Sequence, residues 1–141
     1  MRRETRAVKV KGVQIGGDLI PRLIDEIPVL AVAAAHAQGE TTITDAAELR
    51  AKESDRITTV ATELRKMGVE VEPRPDGMVI AGGGELQGAR VESYGDHRLA
   101  MALAVAALAA EDMTTIADAG SVDVSYPTFW ATLEELRRGA Q

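Results

Sequence analysis

The chain has 141 residues, 16 Lys+Arg against 22 Asp+Glu for a formal charge of -6, no cysteine, 23 alanines and only four aromatic residues. That length predicts a single domain able to bury a real core, and the missing thiols exclude a disulfide framework, a thiolate zinc site and a cysteine nucleophile. The longest apolar run, Leu99 to Ala110, is short of the roughly 20 residues that cross a bilayer, and the acidic balance with few rings argues against nucleic acid.

The opening Met1-Arg2-Arg3-Glu4 precedes no apolar signal segment, so the expected chain is soluble and cytoplasmic. Ala7–Ile15 alternates apolar and charged residues and reads as a strand ending at Gly16-Gly17. Asp25 to Gln38 reads as a helix, with Asp25 as N-cap, Pro28 in the first turn and Gly39 as its stop. Thr41–Thr44 is a short β-branched strand. A helix from Ser54 to Met67 places Ile57, Val60, Leu64 and Met67 on one face, with Gly68 closing it. Val69–Glu72 and Met78–Ala81 form a hairpin around Asp76-Gly77. After the Gly82-Gly83-Gly84 turn come strand Ala89–Ser93, helix Asp96–Ala110, strand Thr114–Ala117 and helix Pro127–Arg138.

The chain repeats itself. Thr41-Thr42-Ile43-Thr44-Asp45-Ala46 returns 73 positions later as Thr114-Thr115-Ile116-Ala117-Asp118-Ala119, with five of six residues identical. Each copy follows an alanine-rich stretch and precedes similar text, Glu63-Leu64-Arg65-Lys66 and Glu135-Leu136-Arg137-Arg138. The expectation is one domain of two β-α-β-α-β-β units, about 7–81 and 89–138, in the α/β or α+β class.

Charge is concentrated at the helix starts: Asp25-Glu26, Lys52-Glu53-Ser54-Asp55-Arg56 and Asp96-His97-Arg98. Capping explains the acids and Ser54. It does not explain Lys52, Arg56 and Arg98, because a cation at a helix N-terminus opposes the macrodipole by a few tenths of a kcal/mol. Two readings stand side by side: ion pairs within each cluster, such as Glu53 with Arg56, or a gathered anion site in which amides and cations act together. In the second, Asp25 and Glu53 are carboxylates that exchange protons with the ligand. His36 reads as a packed helix residue, and His36 and His97 show no metal-ligand spacing. Gly82–Gly84 lacks the residues of a phosphate loop. Tyr126, Phe129 and Trp130 read as a seal on the core.

Leu23-Ile24-Asp25-Glu26-Ile27-Pro28, Glu48 to Ile57, Gly95-Asp96-His97-Arg98-Leu99-Ala100-Met101 and Ser125-Tyr126-Pro127 closely resemble the C-terminal part of the 5-enolpyruvylshikimate-3-phosphate synthases, over essentially the whole chain. The resemblance implies an inside-out α/β barrel of repeated units. It also implies transfer of the enolpyruvyl group of phosphoenolpyruvate to the 5-hydroxyl of shikimate 3-phosphate, with release of phosphate and no cofactor or metal. By the same resemblance, Asp25 takes the hydroxyl proton and contacts shikimate phosphate, and Glu53 protonates the methylene. Lys52 contacts substrate, Arg56 and Arg98 grip phosphoenolpyruvate, and His97 neighbours them. The sequence departs from the family at Val124, where many members have a phosphoenolpyruvate-contacting lysine. It also lacks the family's N-terminal residues, so the chain is expected to be an inactive C-terminal fragment. A nucleotide-sugar enolpyruvyl transferase of the same fold, and a non-catalytic anion-binding module, are the alternatives.

Overall fold

The computed structural model describes residues 9–139. The first strand is shorter than its alternation suggests. Only β1 (Gln14–Ile15) pairs regularly, with an isolated bridge from Lys11 to Gln38 before it; Ala7 and Val8 of the expected strand lie outside the described residues. A run of short turns, including α1 (Ile20–Leu23) and a 3-10 turn at Ile24–Glu26, leads into α2 (Ile27–His36). Asp25 is therefore not the N-cap: the helix begins two residues later, with proline in its first turn. Pro28 lacks the amide that a helix interior needs, so it suits the first turn and no position further in.

β2 (Glu40–Ile43) runs parallel to β1, with Gln14 opposite Thr42 and Ile15 opposite Ile43. α3 (Arg56–Lys66) is capped by Asp55, not by Ser54, through the amides of Ile57 and Thr58. It ends at Met67, and Gly68 follows at φ 88°, a conformation glycine adopts without strain. The hairpin forms as expected, β3 (Glu70–Arg74) against β4 (Gly77–Ala81) with Arg74 opposite Gly77. β4 also pairs antiparallel with β2, which gives a four-stranded sheet in the order β1-β2-β4-β3. A side chain at Gly77 would collide with the Ile43 carbonyl, so that close strand approach requires glycine.

The pattern then begins again. β5 (Arg90–Glu92) runs parallel to β6 (Thr115–Ala117) around α4 (His97–Ala109), as β1 and β2 do around α2. The repeated aspartates, Asp45 and Asp118, both take left-handed backbone after their strands, at φ 61° and 58°. α5 (Val122–Ser125) and α6 (Phe129–Gly139) complete the described chain.

The alanines explain the centre of the molecule. α2 and α4 pack against each other, and small side chains let two helix backbones approach closely. Ala31, Ala34 and Ala35 of α2 join Leu99, Ala102, Leu103 and Ala106 of α4 in one continuous core, with Ile57, Leu64, Met78 and Ile80 around them. Two packing expectations fail. His36 ends α2 exposed, its ring bonded to the Val32 carbonyl at 2.9 Å. Tyr126, Phe129 and Trp130 stack edge-to-face without fully closing the core, for Tyr126 is exposed and Phe129 and Trp130 stay half-buried. The class is α/β, and no described helix is long and apolar enough to cross a membrane.

Candidate active site

Three charged clusters distant in sequence meet at one place, and Asp96 is its fixed point. Extended backbone at Asp96 caps α4, its carboxylate accepting from the amides of Arg98 and Leu99. The same carboxylate, fully buried, accepts Arg56 Nε at 2.9 Å and Nη2 at 3.1 Å, a bidentate pair across 40 residues. Ser54 Oγ donates to it at 2.8 Å. Ser54 thus binds the neighbouring helix start instead of capping its own.

Arg56 is 1% exposed and holds two further carboxylates: Asp25 through Nη1 at 3.2 Å and Glu53 through Nη2 at 2.6 Å. Lys52 Nζ lies 3.5 Å from Asp25 and 3.7 Å from Glu48. Arg98 Nη1 reaches Glu26 at 3.0 Å, a contact spanning 72 residues. His97 is the first residue of α4, half-buried beside Asp96. The turn before it, Tyr94-Gly95, takes left-handed backbone at φ 55° and 69° and leads into Asp96 and the start of α4.

The ion pairs run between the clusters as well as within them. Glu53 does pair with Arg56, and the pairs also join all three helix starts. Burial raises the carboxyl pKa of Asp96, but bonds to Arg56 and Ser54 outweigh it and hold the group below its ordinary range. Desolvation likewise lowers Arg56 and is overcome by Asp96, so the guanidinium stays charged. At Asp25 the attraction of Lys52 and Arg56 outweighs burial, and its carboxyl is also lowered. Asp25 and Glu53 stay about half exposed, whereas Asp96 is sealed.

Two features escaped the sequence reading. One is the hub role of Asp96, legible there only as a cap. The other is Glu63, a fully buried acid that accepts Tyr94 Oη at 2.7 Å, the Glu92 amide at 3.0 Å and Lys66 at 2.9 Å. It ties α3 to the turn that presents Asp96. Its signal was in the sequence, because Glu63 falls on the Ile57-Val60-Leu64-Met67 stripe, three residues after Val60.

The comparisons bear on what this constellation belongs to. Residues 2–133 match the family model described as EPSP synthase (3-phosphoshikimate 1-carboxyvinyltransferase). The chain belongs to the EPSP synthase family. It is 65% identical over 128 residues to a 3-phosphoshikimate 1-carboxyvinyltransferase of Herpetosiphon aurantiacus, covering 91% of this chain and 30% of that relative. It is 59% identical to the enzyme of that name from Roseiflexus sp. strain RS-1, with the same coverage. An EPSP synthase structure from Acinetobacter baumannii superposes with a TM-score of 0.86 at 40% identity, over 92% of this chain and 30% of that one. The chain thus spans about 30% of the length of the EPSP synthase relatives that it matches.

Proposed function

We propose that this chain supplies part of the active site of a 3-phosphoshikimate 1-carboxyvinyltransferase, acting on phosphoenolpyruvate and shikimate 3-phosphate in the cytoplasm. One observation carries the reading: Asp25, Lys52, Glu53, Arg56 and Arg98, assigned to substrate by the family motifs, stand around a single buried Asp96. The domain is read as two units, about 7–81 and 89–138, within a longer protein.

The chemistry divides by exposure. Asp96 keeps Arg56 in place from the buried side, and a sealed bidentate pair fixes the guanidinium plane. Asp25 and Glu53 occupy its outer face from half-exposed positions, so an incoming phosphate or carboxylate displaces them there. Displacement leaves two carboxylates beside the bound anion. Asp25 then takes the proton of the attacking 5-hydroxyl as its oxygen bonds to the enol carbon. Glu53 delivers a proton to the methylene and later recovers one from the methyl group as phosphate leaves. Lys52, Arg98 and His97 complete the anion contacts.

Five carboxylates (Asp25, Glu26, Glu48, Glu53, Asp96) face three cations (Lys52, Arg56, Arg98) in this cluster. A site with that balance repels two polyanionic substrates until further cations join it. The remaining part of the enzyme is the proposed source, and the chain alone is expected to be inactive.

The reading is tested in a chimera, with this chain replacing the matched segment of the Herpetosiphon aurantiacus relative. Turnover is expected from phosphoenolpyruvate and shikimate 3-phosphate, measured as phosphate release. Asp25→Ala and Glu53→Gln should each lower kcat by about a hundredfold or more, the scale of a lost acid or base. Arg98→Ala should mainly raise KM for phosphoenolpyruvate. A folded chimera without turnover, or an Arg98→Ala variant with unchanged affinity, would overturn the assignment.

A further inference from the structure

α3 meets the approach to α4 at two points on one face. Arg56 and Glu63 are seven residues apart, two helical turns, so their side chains leave α3 in nearly the same direction, about 10 Å apart along its axis. Arg56 binds Asp96. Glu63, fully buried, holds the stretch just before Asp96: Oε2 accepts the Glu92 amide at 3.0 Å and Oε1 accepts Tyr94 Oη at 2.7 Å. Lys66 donates a further bond at 2.9 Å. Every partner is a donor, so an ionised carboxylate satisfies the set and an amide does not.

That turn is one the backbone does not favour. Tyr94 takes φ 55°, a left-handed conformation costly for an aromatic residue, and it persists only where the surroundings fix it. The Asp96 amide closes the turn on the Ser93 carbonyl at 2.9 Å. Ser93, fully buried, is tied to β6 by its hydroxyl, which donates to the Ala117 carbonyl at 3.0 Å. Ser93 thus holds one side of the turn and Glu63 the other. A buried ionic group is weak ground for stability, since an apolar side chain of similar size serves a core as well. What the carboxylate adds here is a fixed relation between the turn that carries Asp96 and the helix that carries Arg56.

We infer that Glu63 and Tyr94 are positioning residues for the anion grip of Arg56 and Arg98. Glu63 acts through Asp96 and not by contact with substrate. By way of Tyr94 and the Glu92 amide it sets where Asp96 stands. Asp96 in turn sets the plane of the Arg56 guanidinium, and the Arg98 amide is bound to the same carboxylate. The inference rests on the proposed activity for its kinetic readout alone.

Tyr94→Phe is the deciding variant, because it removes one hydroxyl from a side chain that is 44% exposed and leaves its packing in place. Glu63→Gln, at a fully buried position, should act in the same direction. In the chain alone, hydrogen exchange at Arg56 Nε should quicken about tenfold or more in Tyr94→Phe, with the β4 amides unchanged. In the chimera with the Herpetosiphon aurantiacus relative, KM for phosphoenolpyruvate should rise about tenfold, and KM for shikimate 3-phosphate should change by less than about twofold. A merely structural role predicts instead fewer active molecules, with lower kcat and both KM values unmoved. Unaltered exchange at Arg56, exchange that quickens equally in β4, or an active chimera whose KM for phosphoenolpyruvate does not move would overturn the inference. An unsubstituted chimera without turnover counts against the proposed function instead, and exchange at Arg56 then decides the inference by itself.

Discussion

At the scale of single residues, Arg56 and Asp96 are held by each other. Removing Asp96 takes from the buried Arg56 its bidentate partner and from α4 its cap, and the loss of a buried partner costs about 3–5 kcal/mol. Asp96→Ala should lose that much in urea unfolding of the chain, whereas Asp25→Ala, at a half-exposed position, should lose about 1 kcal/mol or less. Acid stability follows from the same carboxylates. Asp96 and Glu63 have folded pKa values below their ordinary 3.8 and 4.5. Each therefore stabilises the fold fully above its ordinary value, and that stabilisation is lost as pH falls through the lowered one. Unfolding free energy should be flat from pH 7 to about pH 5 and drop below about pH 4, with a shallower drop in Asp96→Asn. Tyr94 shows the opposite sign: its hydrogen bond to Glu63, with burial, pushes the phenol up to about 12, so its stabilisation persists through pH 10 and is lost as pH rises through the raised value. Absorbance titration of Tyr94 in a Tyr126→Phe background should show that late ionisation, and Glu63→Gln should bring it down.

At the scale of elements, the helix starts show where sequence stops being informative. Ser54, Asp55 and Asp25 are all competent caps by residue type, and choosing among them depends on where the chain turns. Asp55 has the free amides of Ile57 and Thr58 within reach, whereas Ser54 faces Asp96 on another element. Asp55→Ala should cost about 1 kcal/mol through the lost cap. Ser54→Ala should instead weaken the Asp96 network, and combining it with Asp96→Ala should add little. The hairpin and the glycine that closes α3 were legible because turn chemistry is local, whereas α2 ends at His36 with extended backbone at Ala37, before Gly39. The incomplete burial of the aromatic cluster was not legible, because apolar spacing in α6 tells that a face exists and not what covers it. Gly77→Ala belongs here too. Its side chain would strike the Ile43 carbonyl, so about 1–3 kcal/mol of overpacking strain is expected in thermal or urea unfolding.

For the whole molecule, a net charge of -6 conceals where the cations sit, with Lys52, Arg56 and Arg98 placed at helix starts among carboxylates. Lys52, Arg56 and Arg98 stood out in the sequence because cations at helix starts oppose the macrodipole, but the meeting of the three clusters around Asp96 depends on long-range packing of α2, α3 and α4. That packing leaves the cluster short of cations, which ties the behaviour of the chain to the rest of its family's length. Titration with phosphoenolpyruvate in the presence of shikimate 3-phosphate, on the chain alone and on the chimera, measures this dependence directly. The chimera should saturate, and the chain alone should show no saturation over the same range. Equal affinity in the isolated chain would contradict the account of a divided site.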